Sequence, residues 1–263
     1  MTPSKVNAPR KIRNFNYIQF MIPTRFARSL ALPCLAALLW LPACTSTKDN
    51  NNQLTGQEAR DGWTLLFDGK STEGWHLYNR GKVPSAWVVV NGELYCKPDG
   101  KLEHGDLISD KEYQNFDLTF DWKIIKYGNS GVFIDVDEDS AIRTAWASGP
   151  EYQLLDPAHP DNSNPVKRSG ALFGIYSQLN PVETKPSGEW NHSRIVQSNG
   201  KIEFYLNGVL TVREDFNAPG WLDTVAKSNF KRFPEFGRRS RGHIGLQDWS
   251  KGVSFRNIKI REL

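Results

Sequence analysis

The sequence predicts an all-β fold, a two-sheet jelly-roll sandwich that forms a single domain over residues 61–263. After Asp61 the chain consists of short runs of alternating apolar and polar residues, interrupted by Gly, Asn, Asp and Pro, as is typical of antiparallel sheets. No stretch of ten or more residues has a helical period. About a dozen strands exceed an immunoglobulin-type sandwich and favour a larger jelly roll, although a barrel gives the same pattern.

Three Asn-Gly pairs predict tight hairpin turns within this fold, at Asn91-Gly92, Asn199-Gly200 and Asn207-Gly208. The first pair joins two strands, and the other two make residues 190–214 a three-stranded meander. The predicted strands, in chain order, are Ala86–Val90, Glu93–Cys96, Phe116–Ile125, Gly131–Asp135, Tyr152–Leu155, Leu172–Ile175, Trp190–Gln197, Lys201–Leu206, Val209–Glu214, Gly242–Gln247 and Val253–Ile260.

The charge of the chain is concentrated at its N-terminus. The formal net charge is +4, but residues 1–44 hold six basic side chains and no acidic one, so the rest of the chain has a net charge of −2. This remainder contains no block of Lys and Arg long enough to follow a phosphate backbone. We therefore expect no nucleic-acid partner.

Residues 1–44 read as a signal peptide, whose true start is expected at Met21. Arg25 and Arg28 precede an apolar run over 30–41 that is too short to span a membrane. The run ends in Leu-Pro-Ala-Cys, which resembles a bacterial lipobox with Cys44 as the lipidated residue. We expect a lipid-anchored protein of the cell envelope, at the periplasmic or outer-membrane face, with an ordinary signal peptide as the alternative.

Two further features follow from composition. Residues 45–60 are rich in Ser, Thr, Asn, Gln and Lys with a single Leu, so they are predicted to form a flexible tether. Cys96 is the only cysteine after the leader, which excludes an intrachain disulfide there. Its place in an apolar alternation predicts a core residue rather than a reactive thiol.

Seven segments, in order along residues 62–263, resemble one bacterial family, the 3-keto-disaccharide hydrolase domains. The resemblance implies a concanavalin A-like, laminarinase-like jelly roll whose concave sheet binds sugar. It also implies activity on glycosides that a partner sugar 3-dehydrogenase has oxidised at C3. Family members often carry His where this chain has Phe204 and Trp249. The segments are GWTLLFDGKSTEGW (62–75), GNSGVF (128–133), EYQLLD (151–156), GEWNHSRIV (188–196), FYLNGV (204–209), RGHIGLQD (241–248) and FRNIKIREL (255–263).

The period of two along a strand predicts which side chains share a face. If Ile244 and Leu246 face the core, their polar neighbours face the other way, as do alternate residues of the strands near 131, 152 and 203. One face of an antiparallel sheet is often solvated, so alternation alone does not predict a site. The polar candidates are Asn129, Glu151, Gln153, Glu203, Asn207, Arg241, His243 and Gln247. For Glu151, Gln153, His243 and Gln247 the resemblance favours function, whereas for Glu203 and Tyr205 a solvated face is favoured.

Other candidates come from loops and strand ends. Asp248 ends its strand and is a site residue or a turn residue, and His192 is a site or a surface residue. The long loops 156–170 and 217–241 are expected to rim a groove with Lys167, Arg168 and the arginines at 238, 239 and 241. His76, His104 and His159 are expected in solvent. The acidic run over 135–139 lacks an EF-hand pattern and is expected to form a solvated turn.

The resemblance implies a particular chemistry. A carbonyl at C3 acidifies the C2 proton, so a general base starts β-elimination of the anomeric oxygen, and hydration then completes a net hydrolysis. His243 or Glu151 is the expected base, Gln153 and Gln247 position sugar hydroxyls, and an arginine near 238–241 or a bound divalent cation stabilises the enolate. No metal-ligand spacing is present in the sequence.

Two alternatives remain open. A glycoside hydrolase with paired carboxylates needs a second acid, but the strand Glu151-Tyr152-Gln153 places only one on its face, and Glu203 would have to approach from another strand. A non-catalytic carbohydrate-binding module needs only the groove and its aromatic residues.

Overall fold

The computed structural model describes residues 50–98, 100–249 and 252–263. The signal peptide predicted over 1–44, its Cys44 and the first part of the predicted tether lie outside the described residues. Within the described residues, no helix is long and apolar enough to cross a membrane.

The described residues form two antiparallel sheets and a few short helices. The helices are α1 (Gly56–Arg60) and α2 (Trp221–Lys227). The strands are β1 (Trp63–Leu65), β2 (Trp75–Leu77), β3 (Trp87–Val90), β4 (Glu93–Cys96), β5 (Leu107–Tyr113), β6 (Phe116–Ile124), β7 (Asn129–Val136), β8 (Glu151–Leu155), β9 (Asn191–Ser198), β10 (Lys201–Leu206), β11 (Val209–Asp215), β12 (Gly242–Leu246) and β13 (Val253–Glu262). One sheet has the order β11-β10-β9-β6-β13-β4-β3 with β1 also paired to β13, and the other has the order β2-β5-β12-β7-β8.

The two sheets pack on a common aromatic core, which confirms the predicted sandwich. The Tyr152 ring of one sheet lies 5.1 Å from the Phe204 ring of the other, and its hydroxyl is 2.8 Å from Ser193 Oγ. Trp122 donates to the same oxygen at 2.9 Å, so the buried polar atoms at the centre are paired. Phe204 is fully buried there, so it is a packing residue in this chain.

The predicted hairpins are confirmed. Both residues of each Asn-Gly pair have positive φ, for example 52° and 76° at Asn91 and Gly92, as a type I′ turn requires. Of the predicted strands, Leu172–Ile175 does not form: Leu172 makes only isolated bridges with Tyr152 and Tyr176. The prediction missed β1 and β2, which are three residues long, and β5.

The predicted tether over 45–60 needs correction for residues 50–60, which are attached to the domain. Asn52 is buried and exchanges two hydrogen bonds with Asn257, at 2.7 and 2.8 Å. Thr55 and Glu58 form a capping box on α1, and Lys259 Nζ binds Glu58 at 2.8 Å. Side-chain hydrogen bonds, which apolar content does not reveal, hold this polar segment on the sheet.

Candidate active site

The candidate site lies on the face of the five-stranded sheet that points away from the main core. Tyr152 and Leu154 belong to that core, so Glu151 and Gln153 face the other way, as predicted. Strand pairing places Glu151 opposite Phe133 and Gln153 opposite Gly131, and Gln247 donates its backbone N–H to the Gly131 carbonyl at 2.9 Å. The period of two along each strand therefore places these positions on one surface.

This face is covered rather than solvated. Glu151 and Gln153 are only 5% and 1% exposed, and Phe133 packs in a second apolar cluster with Ile108 and Ala145. The segment over 137–147 lies across the sheet because β2 and the residues after it hold it by several hydrogen bonds. Tyr78 Oη donates to the carbonyls of Asp137 and Ile142, and Asn79 Nδ2 donates to those of Asp139 and Ile142, all at 2.9–3.0 Å.

A cleft of about 310 Å³ opens between this covering segment and the end of β12. Its walls combine polar side chains with two indole rings, the combination that sugar hydroxyls and C–H faces require. It is lined by Tyr78, Asn79, Arg80, Gly105, Asp106, Arg143, Thr144, Trp146, Gln247, Asp248 and Trp249. Trp249 is 53% exposed at this cleft.

Glu151 is buried against Gly131. A Cβ added to Gly131 would lie 2.1 Å from Glu151 Oε1, so the absence of a side chain at Gly131 makes the space that the carboxyl occupies. Glu151 Oε1 is buried and has no hydrogen-bond partner among the described residues. Burial, with a smaller contribution from the negative charge of Asp106, raises the pKa of Glu151 well above its usual range.

Asp106 brings a second carboxyl group to the site, which the sequence analysis did not identify. It immediately precedes β5 and lines the cleft, and its Oδ1 accepts from Asp248 N at 3.0 Å. Burial, together with the negative charge of Asp248, raises its pKa to about 7. Its signal in the sequence was weak, because β5 is buried on both faces at its start and lacks apolar–polar alternation.

Gln247 and Asp248 take the predicted place at the cleft. Gln247 is 7% exposed, and its Oε1 is buried without a hydrogen-bond partner among the described residues. Asp248 Oδ2 accepts from the Gly105 backbone N–H at 3.1 Å and lies 2.6 Å from His104 Nδ1. His104, expected in solvent, therefore has a side chain only 23% exposed and supports this end of the cleft.

One group of side chains of metal-binding type occurs in the described part of the chain. A ligand atom from each of Cys96, His104 and Asp248 lies within 4.8 Å of the others. Asp248 already contacts His104 and Gly105, and burial raises the pKa of the Cys96 thiol strongly, so the thiol is neutral. This arrangement is a contact between His104 and Asp248 beside a buried thiol, and Cys96 is a core residue as predicted.

His243, the other predicted base, belongs to a separate cluster. Its Nδ1 lies 2.7 Å from the Ser109 carbonyl, and its ring is edge-on to His76, 6.1 Å away. His76, expected in solvent, contacts Asp110 at 2.7 Å and Glu138 at 2.9 Å. His243 is not among the residues that line the cleft.

Gln153, two residues after Glu151 on β8, is hydrogen-bonded to Asn129 of the neighbouring strand β7. Gln153 Nε2 donates to Asn129 Oδ1 at 2.7 Å and to the Ser130 carbonyl at 3.0 Å. These bonds fix the Gln153 side chain within the sheet, beside the floor of the cleft.

The predicted basic rim is engaged elsewhere. Arg241 binds Glu112 and Arg239 binds Asp137, and Arg238 donates to the Pro234 carbonyl. Lys167 binds Asp161 and Arg168 donates to the Asn162 carbonyl within the loop after β8. The arginine that does line the cleft is Arg143, from the covering segment.

His192 and Asn207 lie on the eight-stranded sheet, away from the cleft. His192 Nδ1 is 2.8 Å from Asp121 Oδ1, and Asn207 in its hairpin turn accepts from the His192 backbone N–H. Both residues have local roles that explain their polar character.

The acidic run over 135–139 is not the solvated turn that we expected. Asp135 is buried and accepts from Gln197 Nε2 at 2.7 Å, Asp137 pairs with Arg239, and Glu138 contacts His76. Asp135 itself lies within β7, where its φ of 56° coincides with a shift of register between β7 and β12.

Fold and site together define a β-sandwich protein with a carboxyl-lined cleft on its smaller sheet. The chain belongs to the family of 3-keto-alpha-glucoside-1,2-lyase-like domains, whose sequence model matches residues 62–261. It is 31% identical, over 230 residues, to a 3-keto-disaccharide hydrolase of Bacteroides thetaiotaomicron, covering 77% of this chain and 79% of that protein. These matches place the chain among enzymes that cleave glycosidic bonds.

Two solved structures from Parabacteroides distasonis, each described as a glycosyl hydrolase, share the fold. The first is 30% identical with a TM-score of 0.74 and covers 81% of this chain and 99% of its own. The second is 27% identical with a TM-score of 0.56 and covers 76% of this chain and 99% of its own.

Proposed function

We propose that this protein cleaves 3-keto-glycosides by β-elimination at the cleft that Asp106 and Gln247 line, with Glu151 buried next to it. A base removes the proton from C2, and the electron pair forms the enolate of the C3 ketone. When the ketone re-forms, the C1–O bond breaks and a C1=C2 double bond remains. Addition of water across this double bond, with the hydroxyl at C1 and the proton at C2, gives a net hydrolysis. The observation that carries this proposal is a polar cleft lined by Asp106, whose pKa is raised to about 7, with the buried Glu151 near enough that the charge of Asp106 contributes to its own raised pKa.

Asp106 is suited to the role of general base. Its pKa of about 7 lets a large fraction be ionised at neutral pH while the carboxylate remains more basic than an ordinary one. It lines the cleft, and it forms no ion pair with a Lys or Arg in the described ranges. This assignment replaces the expectation that Glu151 or His243 abstracts the proton. The His243→Asn variant below tests the replacement.

Glu151 is suited to donate a proton. Burial raises the pKa of its carboxyl group and so favours the protonated form, whose hydroxyl would donate to the enolate oxygen or to the leaving glycosidic oxygen. Its Oε1 and Gln247 Oε1 are both buried without a partner among the residues described, so a bound sugar would supply the missing hydrogen bonds. Substrate binding thereby pairs atoms that are unpaired in the free protein.

Arg143 supplies positive charge at the cleft, the role first assigned to the arginines at 238–241. It is exposed there and is in no ion pair that the structure describes. Its guanidinium would stabilise the enolate. A bound divalent cation is the alternative for this role.

The test is an assay of the purified protein on a disaccharide and on its 3-keto derivative, with and without EDTA. We expect release of a monosaccharide from the keto sugar alone, and loss of that activity in Asp106→Asn and Glu151→Gln but not in His243→Asn. Inhibition by EDTA would show that a bound cation stabilises the enolate. Full activity of both carboxyl variants would contradict the proposed site.

Hydrolysis of an unoxidised glycoside by a pair of carboxylates is the second candidate function. Asp106 is the second acidic residue near Glu151, and the sequence analysis did not identify it. It predicts cleavage of the unoxidised disaccharide in the same assay. Saturable binding of sugar without cleavage of either substrate would instead identify a carbohydrate-binding module.

The proposed substrate requires a preceding oxidation. We propose that a sugar 3-dehydrogenase supplies the 3-keto-glycoside, and that lipidation at Cys44 holds the protein at the cell envelope. Metabolic labelling with a fatty acid, in the full chain and in its Cys44→Ala variant, tests the anchor: we expect label in the first and none in the second.

A further inference from the structure

A second cavity, of about 680 Å³, adjoins the cleft on the other side of the covering segment. Its walls are residues 141–147 on one side and residues 233–235 on the other. Arg143, Thr144 and Trp146 line both the cleft and this cavity, so the two spaces lie next to each other at these residues.

The second cavity is built mainly of apolar groups. Trp146 and Phe233 meet edge to face, with ring centroids 4.7 Å apart and an interplanar angle of 86°. Two perpendicular rings form a corner in which a third flat ring can stack on one and place its edge against the other. Ile142, Pro234 and two alanines complete the apolar lining, and the polar side chains are those of Arg143, Thr144 and Glu235.

This lining suits an aromatic group better than a second sugar. A sugar ring presents several hydroxyls, each of which needs a partner when water is displaced, and the two rings of the corner have only the Trp146 indole N–H between them. An aromatic ring has no such requirement and gains from burial and from contact with both rings.

Both walls are fixed before a ligand arrives. Tyr78 and Asn79 hold the covering segment by its carbonyl groups. The opposite wall is attached through Gly237, which donates to the Ser148 carbonyl at 3.0 Å and accepts from Trp221 Nε1 at 2.7 Å. A preformed cavity costs little ordering on binding.

We propose that this cavity binds the aglycone of the substrate and that the preferred substrates are 3-keto-glucosides of aromatic alcohols. The inference rests on the proposed function, because it places the sugar in the cleft and the leaving group beyond Trp146. Phe233 and Ile142 line the second cavity only, so they set aglycone preference without touching the sugar.

The test compares kcat/KM for phenyl 3-ketoglucoside, methyl 3-ketoglucoside and a 3-keto disaccharide in the wild type and in Phe233→Ala. We expect the phenyl substrate to be preferred and its kcat/KM to fall about tenfold in the variant, with the methyl substrate unchanged. Leu222→Ala is the matched control, since Leu222 is 43% exposed on α2 and lines neither cavity. If Phe233→Ala does not fold, Phe233→Leu keeps the apolar volume and removes only the ring.

The outcomes separate the two proposals. Equal losses on all three substrates, or no loss on the phenyl substrate, would overturn the aglycone site while leaving the proposed function intact. If the wild type turns over none of them, the proposed function fails, and calorimetric titration with unoxidised phenyl glucoside then decides on the cavity. Weaker binding by Phe233→Ala than by wild type would support it, and equal binding would overturn it.

Discussion

The carboxyl group of Glu151 occupies the space that a side chain at Gly131 would fill. The two residues lie on neighbouring strands, and a Cβ on Gly131 would come within 2.1 Å of Oε1 and 2.6 Å of the carboxyl carbon. Because the backbone of Gly131 also accepts from Gln247 N, this glycine fixes both ends of the proposed catalytic surface.

Gly131→Ala is therefore expected to displace Glu151 and lower kcat/KM about 100-fold, since a shift of about 1 Å in a catalytic group has that effect. Its φ is not positive, so alanine brings no backbone strain. Gly220→Ala is the control, because nothing lies within 4 Å of a Cβ at that position. Kinetics on the 3-keto disaccharide, with thermal unfolding as the check on folding, measure the effect. Wild-type activity in Gly131→Ala would contradict the placement of Glu151 in catalysis.

The pH dependence of the reaction should follow Asp106. A base works only when deprotonated, so kcat/KM is expected to rise as pH increases through the pKa of about 7. Asp106→Asn should remove this rise and lower kcat/KM by roughly 10²–10⁴-fold. Asp110→Asn is the matched control on the same strand, since Asp110 pairs with Lys82 and His76 outside the cleft. A pH profile that persists in Asp106→Asn would assign the titrating base to another group.

Asp135 is expected to cost stability at neutral and higher pH. Burial raises its pKa from 3.8 to about 7, so the native state holds a proton that the unfolded state releases, and stability falls as pH rises between these values. Its Oδ2 and the neighbouring Gln197 Oε1 are both buried without partners in the described structure. Asp135→Asn removes the charge and supplies an N–H donor for Gln197, and Asn tolerates the φ of 56°.

Urea unfolding of Asp135→Asn should show a gain of roughly 2 kcal/mol at pH 8 that disappears below about pH 3, where the wild-type carboxyl is protonated in both states. Glu183→Gln, at an exposed position, serves as the charge-matched control and should show no such trend. A gain in Asp135→Asn that is the same at both pH values would argue against charge burial as its cause.

The sequence predicted those parts of the structure that neighbouring residues determine by themselves. The hairpins at Asn91, Asn199 and Asn207 need positive φ at two adjacent residues, a requirement that the Asn-Gly dipeptide meets by itself. The faces of β8 and β12 followed from a period of two because each strand has one side against the main core. The face that Glu151 and Gln247 occupy was therefore predictable from the sequence.

Asp106, Arg143 and Trp146 escaped prediction because their positions depend on tertiary contacts. The first residues of β5 are buried on both sides, so no alternation indicates Asp106 as a strand-end residue. The segment that carries Arg143 and Trp146 lies over the sheet only because Tyr78 and Asn79, about 65 residues earlier, bind its carbonyl groups. No local pattern encodes such a contact.

The attachment of the N-terminal segment was missed for a similar reason, and it gives the last prediction. Asn52 and Asn257 each accept the other's backbone N–H through a side-chain oxygen, and both have φ near +55°. Glycine accepts that conformation, so Asn52→Gly and Asn257→Gly remove the side-chain bonds without adding strain.

Each single variant is expected to lose about 1–2 kcal/mol of unfolding free energy, because each leaves a backbone N–H unpaired. The double variant should lose about 1 kcal/mol less than the sum, since either substitution alone breaks the reciprocal pair. Urea unfolding of the four proteins of this cycle measures the coupling. Strict additivity would mean that Asn52 and Asn257 stabilise the fold independently. The segment would then be held on the sheet by two other hydrogen bonds, from Asn52 Nδ2 to the Gly92 carbonyl and from Asn257 Nδ2 to Asp121, rather than by the reciprocal pair.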